Sequence, residues 1–216
     1  MNIIVAGSGH KGFLNPQDTC QIISEEIKKK SNFNPLNIPV TDGGEGFIDI
    51  LVNYFDGEFK FFEVVDPLYR KRKAKIGLIK NNTIAIIEIA QAAGSSLLKE
   101  HEKQTMIATS YGVGEMIKKS YDYGCREFLI GLGGSIVSDC GIGLAQALGV
   151  QFFDKDGNRL EPVVGKGFNA LSLESIDSFS LSNISINLED ITIKVASDSE
   201  IVLTGENGQA RTYGPQ

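Results

Sequence analysis

Short apolar runs alternate along the chain with segments whose apolar residues recur at helical spacing, and glycine-rich loops join them. Asn2 to Ala6 predicts a first strand. Asn15 as N-cap, Pro16 at the first helical position and Asp18 in the first turn predict a helix to about Lys30. That helix is expected to bury Cys20, Ile23 and Ile27, and three lysines sit at the negative end of its dipole. Leu36 to Val40 predicts a second strand. Glu45 to Tyr54 predicts a second helix with Ile48, Leu51 and Val52 on one face, and Phe59 to Val65 a third strand. The β–α–β order implies a parallel, flavodoxin- or Rossmann-like sheet with right-handed crossovers. In such sheets ligands bind beyond the carboxyl ends of the strands.

Asp66-Pro67-Leu68 is read as the crossing into a second unit, dividing the chain into residues 1–66 and 67–216. Ala74, Ile76 and Leu78 alternate with polar residues, and Asn81-Asn82 turns the chain back into Thr83 to Ile89, which predicts a hairpin. Gly112 to Tyr123 predicts a helix stopped by Gly124. A strand ending at Leu132, a glycine-rich loop and a helix from Ile142 to Leu148 follow. Val150 to Phe153 and Asn158 to Leu160 predict a second hairpin, and Ile191 to Ala196 a last strand. The Ser- and Asn-rich stretch from Pro162 to Leu188 is expected to be loop with one short helix. The fold class is therefore α/β: a parallel unit followed by a mixed α/β domain.

Three strand–loop–helix junctions carry the chemistry. They are Ala6 to Gly12, with His10 and Lys11; Val40 to Gly46, with Asp42 and Glu45; and Gly131 to Gly141, with Ser135, Ser138 and Asp139. Glycines let backbone approach a ligand closely, and successive N–H groups near a helix start bind anions. Three such loops, each with an acid or a lysine, point to phosphate chemistry.

The net charge of −6 argues against a nucleic-acid surface, and the basic run Arg70 to Lys73 is short. No apolar run reaches the roughly 18 residues of a membrane span, and no leader pattern opens the chain. Cys20, Cys125 and Cys140 lack metal-ligand spacing, so a cytoplasmic protein with reduced thiols is expected.

The loops resemble, in order, those of the bacterial glycerate kinase family that includes the glycerate-2-kinases. Lys11-Gly12 matches its first loop, and Asp42-Gly43-Gly44-Glu45-Gly46 its second, unchanged. Ser110 to Glu115 resembles Thr-Tyr-Gly-Thr-Gly-Glu, and Gly133 to Gly141 matches Gly-Gly-Ser-x-x-x-Asp-x-Gly. Ala196 to Leu203 and Tyr213 to Gln216 resemble the family's Asp-containing loop and Phe-Gly-Pro-Gln. The resemblance covers nearly all of the chain, as an N-terminal portion of a longer fold.

It implies an ATP- and Mg2+-dependent kinase transferring a phosphoryl group to D-glycerate. Such chemistry needs a phosphate cradle, a metal, a group at the acceptor hydroxyl and cations. Lys11, Asp42 and Asp198 are the catalytic candidates. Gly43, Gly44, Glu88, Tyr111, Gly112, Gly133, Gly134, Ser135 and Asp139 are candidates for substrate or nucleotide binding, and Asp42 and Asp139 for Mg2+. For Lys11 the alternative is a solvent lysine; for Asp42 and Asp139 it is a helix cap or Asx-turn. Glu88 stands out as an acid inside an apolar strand.

Departures accompany the match. Ser8 and Gly9 stand where the family has Asp and Ser. Asp198-Ser199-Glu200-Ile201-Val202-Leu203 replaces Asp-Val-Asp-Asn-Pro-Leu, and Ser138 and Cys140 replace Asn and Gly. The family also carries a further segment, Thr-Gly-Glu-Gly-Arg-x-Asp. The alternatives to an active kinase are therefore a truncated or diverged, inactive relative that binds a small anion, a homodimer, or a chain completed by a C-terminal fragment.

Overall fold

The computed structural model describes residues 1–9, 13–163 and 165–212. Its elements, in chain order, are β1 (Asn2–Val5), α1 (Pro16–Lys30), β2 (Asn34–Asn37), α2 (Phe47–Tyr54), β3 (Glu58–Val65), β4 (Lys71–Ile79), β5 (Ile84–Glu88) and α3 (Ala90–Ala93). They continue with α4 (Tyr111–Tyr123), β6 (Glu127–Gly131), α5 (Ile142–Ala147), β7 (Gln151–Phe153), β8 (Ser178–Ser180), β9 (Thr192–Ala196) and α6 (Gln209–Thr212).

The α/β expectation holds: a parallel two-stranded sheet stands beside a mixed five-stranded sheet. β1 and β2 pair in parallel, Asn2 with Asn34 through Val5 with Asn37. The Asn15 side chain caps α1 by accepting the Asp18 N–H at 2.8 Å. The stripe that α1 buries is Pro16, Cys20 and Ser24, whose i, i+4 spacing places them on one face. Ile23, expected inside, is 43% exposed. β2 begins at Asn34 and ends at Asn37, ahead of the expected span.

The larger departure concerns the third strand. β3 does not extend the β1–β2 sheet. It pairs antiparallel with β4, at one edge of the order β3-β4-β5-β6-β9. The cause is the turn between them. The Asp66 side chain accepts the Leu68 and Arg70 N–H groups, each at 2.9 Å, and the Arg70 guanidinium at 2.6 Å. A loop this tight returns the chain beside itself, which only antiparallel pairing permits.

β5, β6 and β9 run parallel to one another, so their carboxyl ends share one edge. Helices cover both faces of the sheet's centre. Phe47, Ile48 and Val52 of α2 pack on Ile79, Ile84 and Ile86, each buried side chain contributing about 2 kcal/mol. Val113, Met116 and Ile117 of α4 meet Ile76, Ala85, Ile87 and Phe128 on the other face. Residues of β5 alternate between the two, as period-two geometry requires. The Asn81-Asn82 turn is as expected, with both residues at positive φ. Gly124 ends α4 in the left-handed region.

β7 meets Arg159 through an isolated bridge, as a hairpin would, but its longer pairing is with β8. That strand lies in the stretch expected to be loop with one short helix. The short helix is there too, as a 3-10 turn over Ala170–Ser175. Among the described residues no helix is long and apolar enough to cross a membrane.

Candidate functional site

The shared register places Glu88, Gly131 and Ala196 side by side at the carboxyl ends of β5, β6 and β9. The loop Asp42 to Gly46 lies across this row. Gly43 O accepts the Gly133 N–H at 3.1 Å, and Ala196 O accepts the Leu132 N–H at 3.1 Å. Backbone meets backbone here with no room for a side chain. A Cβ at Gly131 would collide with the Gly43 carbonyl, and one at Gly133 with the Gly44 Cα. One at Gly43, where φ is 95°, would stand 2.5 Å from the Ala196 carbonyl oxygen. The glycines of two sequence-distant loops are therefore a packing requirement of one site.

Two carboxylates project from this junction. Asp42 is exposed, and its Oδ1 accepts the Gly44 N–H at 2.9 Å, an Asx-turn that aims the side chain and, among the described residues, leaves its other oxygen without a hydrogen bond. Asp198 is exposed two residues beyond β9, in a turn where the Ser199 N–H reaches the Ser197 hydroxyl at 3.3 Å. Gly134 and Ser135 are exposed on the same loop as Gly133. Their backbone is anchored from outside: Ser95 N–H donates to Gly134 O at 3.0 Å and Ile136 N–H to Ala93 O at 2.9 Å.

Asp139 belongs to a second cluster. It is 1% exposed. Its Oδ2 accepts the Ser110 N–H and hydroxyl, each at 2.8 Å, and the Gly143 N–H at 3.3 Å; its Oδ1 accepts the Gly141 N–H at 3.0 Å. Ser110 Oγ in turn accepts the Leu144 N–H at 2.8 Å. This carboxylate caps α5 and ties it to the start of α4, the capping alternative left open by the sequence. Ser110 is not among the site candidates that the sequence names, and only its place beside Tyr111-Gly112 in the motif marks it.

Tyr111 and Gly112 go with this cluster. Tyr111 packs edge-on against Tyr69, ring centres 5.0 Å apart. Burial, then the Tyr111 contact, pushes the Tyr69 phenol up to about 12. Gly112 lies so close to the Val65 carbonyl that a Cβ there would collide with it. Glu115 of the same motif accepts the Val65 N–H at 2.8 Å, and burial raises its carboxyl from the usual value. Lys11 lies outside the described residues, as do His10, Gly12 and the segment Tyr213 to Gln216.

A divalent cation is tested by its donor set. Mg2+ takes hard oxygen ligands and typically keeps waters, with one or two carboxylates beside substrate phosphates. Asp42 and Asp198 are exposed carboxylates of that donor type, whereas Asp139 has its oxygens committed to the protein's own donors. Among the described residues no group of three or more His, Cys, Asp or Glu forms a self-sufficient metal cage.

The pattern of the Glycerate kinase family matches residues 3–216. The chain is 32% identical over 219 residues to glycerate 2-kinase of Escherichia coli (strain K12), covering all of this chain and 55% of that protein. It is 34% identical over 218 residues to glycerate kinase of Bacillus subtilis (strain 168), again covering 100% of this chain and 55% of the relative. Among solved structures, a candidate glycerate kinase 2 from Salmonella typhimurium LT2 superposes with a TM-score of 0.81 at 31% identity, covering 100% of this chain and 57% of that one. The chain thus spans about half the length of the curated relatives it matches. With the loops in family order and the backbone superposing over its whole length, the chain belongs to the glycerate kinase family.

Proposed function

We propose that the chain carries the phosphate-handling part of an ATP- and Mg2+-dependent kinase that phosphorylates D-glycerate. The observation that supports this most is the junction of Gly43-Gly44 with Gly131-Gly133 and Ala196 at the carboxyl edge of three parallel strands, with Asp42 and Asp198 exposed beside it. In this reading Gly134 and Ser135 offer N–H and hydroxyl donors to phosphate or carboxylate oxygens. Asp42 would orient the acceptor hydroxyl, and Asp42 with Asp198 would hold Mg2+. The metal, when bound, neutralises the phosphate charge that develops during transfer. Lys11 is the proposed cation for the moving phosphoryl group.

Free thiols at Cys20, Cys125 and Cys140 support a cytoplasmic setting. Further polypeptide, as a second copy or a complementing fragment, is the proposed cover for two apolar surfaces. Ile4 and Leu36 are 65% and 58% exposed on the β1–β2 sheet, and Ile193 and Val195 are 48% and 56% exposed on the edge strand β9. Parallel sheets ordinarily bury both faces. The second reading, a relative that binds a small anion without turnover, draws on Ser8 standing where the family has a carboxylate.

The test is ADP release with Mg-ATP and D-glycerate, paired with calorimetric titration of each ligand on the same preparation. Turnover supports the kinase. Binding without turnover supports the second reading, and absence of both sinks the two together.

A further inference from the structure

A cavity of about 380 Å3 opens beside α5, lined in part by Tyr111, Gln146, Arg159, Glu161, Phe168 and Asn183. Its size falls within the range of small-molecule sites, about 300–1,000 Å3. Two glycines set its aromatic wall. A Cβ at Gly143 of α5 would stand 2.9 Å from the Tyr111 N, and one at Gly167 would stand 3.1 Å from the Tyr111 Cβ. The start of α4 is thus packed directly on α5 and on the segment before Phe168. Thr109 adds a tie by donating its hydroxyl to Phe168 O at 2.6 Å. Both rings are held: Tyr111 by Tyr69, and Phe168 edge-on by Phe152 with ring centres 5.3 Å apart. The polar groups are of a particular kind. Gln146 Oε1 accepts the Phe168 N–H at 2.8 Å, and among the described residues its NH2 group has no hydrogen bond, nor has the exposed Asn183 amide. Arg159 Nε meets Glu161 Oε1 at 3.0 Å, so the two charges offset each other. An inorganic anion would find a guanidinium already paired and a carboxylate beside it. An uncharged nucleoside finds amide donors for its ring nitrogens, a carboxylate for its hydroxyls and aromatic surface for its base.

We propose that this cavity is a nucleoside subsite: it takes the purine base and ribose of the phosphoryl donor, with Gln146 and Asn183 as donors to the base and Glu161 as acceptor for the ribose hydroxyls. This rests on the kinase reading and deepens it, by giving a place to the end of the donor that the glycine loops do not hold. The cavity is within reach of those loops. Gln146 lies near the end of α5, whose start is capped by Asp139, four residues beyond Ser135. α5 is six residues long, about 9 Å at 1.5 Å per residue. A phosphate chain leaving the ribose runs past Tyr111 along this short helix towards Gly134 and Ser135.

Adenosine and inorganic tripolyphosphate, the two ends of the donor offered separately, test this on the full chain. Calorimetry reads the affinity of each, and amide hydrogen exchange reads where adenosine sits. Adenosine alone is expected to bind saturably and to slow exchange at Leu160, which donates to Phe152 O at 2.8 Å, and at Phe168, relative to the core amide of Ile86. Gln146→Glu keeps an oxygen for the Phe168 N–H and removes the NH2 donor. Asn183→Ala removes the other amide from an exposed position. Each should weaken adenosine about tenfold, and raise KM for ATP where there is turnover, while the tripolyphosphate Kd stays at the wild-type value. The proposal is overturned if wild type binds or turns over Mg-ATP but adenosine does not bind, or slows exchange only elsewhere. It is equally overturned if both variants bind adenosine as wild type does, or lose adenosine and tripolyphosphate alike. Adenosine seated in the cavity of a chain that turns nothing over defeats the kinase reading and leaves the subsite standing.

Discussion

The Asp139 carboxylate accepts both the backbone N–H and the hydroxyl of Ser110, each at 2.8 Å, and binds the start of α5 with its remaining capacity. Removing it strands several buried donors at once. Asp139→Ala is expected to cost roughly 3–5 kcal/mol and Asp139→Asn somewhat less, since the amide presents a donor where donors already converge. Urea denaturation measures the loss. Mg2+ affinity of whatever folded Asp139→Asn remains should match wild type; a selective loss of metal binding with stability intact would return Asp139 to the ligand set.

Asp42 should behave in the opposite way. It is exposed and makes one local Asx-turn bond, so Asp42→Ala should cost about 1 kcal/mol of stability or less. The same change should lower turnover by about 100-fold or more if it orients the acceptor hydroxyl. Asp198→Ala should leave stability within about 0.5 kcal/mol. Parallel denaturation and ADP-release assays decide it; a stable Asp42→Ala with full activity removes Asp42 from the chemistry.

Gly133→Ala tests the backbone junction. The added methyl would meet the Gly44 Cα, and neither backbone has a flexible end to swing aside. A loss of about 1–3 kcal/mol is expected, as for other overpacked sites, with weaker binding of Mg-ATP or glycerate in calorimetry. Wild-type stability and binding together would show that the two loops do not need this contact.

The Tyr69 phenol, raised from 10 to about 12 chiefly by burial, sets an alkaline dependence. The unfolded chain releases this proton near pH 10 and the folded one near 12, so the folded state binds more protons in between. Its contribution to stability is intact below pH 10 and lost as pH rises from there to about 12. Ultraviolet titration should show a late tyrosinate that is absent in Tyr69→Phe. A Tyr69→Phe curve that keeps the late step assigns it elsewhere.

The thiols offer a simple check on packing. Cys20 and Cys125 are buried and Cys140 is exposed; burial also pushes the Cys125 thiol up to about 11. One thiol per folded chain should react promptly with an aromatic disulfide reagent, and Cys140→Ser should abolish that phase. Rapid reaction of two or more thiols would show that the α1 or β6 side of the structure opens.

The sequence by itself determined the local elements, because their signals are local. Asn15-Pro16 starts α1, Asn81-Asn82 turns β4 into β5, Gly124 stops α4, and each does so through the φ/ψ preference or capping bond of a few adjacent residues. Motif order was legible for the same reason, and with it the family. Pairing between distant elements was not. β3 follows β2 in the chain yet joins β4, since the Asp66 turn holds it there. The same limit applies to the acids. Asp42, Glu88 and Asp139 look alike as acids near loops or strand ends. Only the tertiary structure leaves the first exposed, buries the second at a strand end, and surrounds the third with four donors. What a carboxylate does is set by the donors and the water around it, and residues far away in the chain supply both.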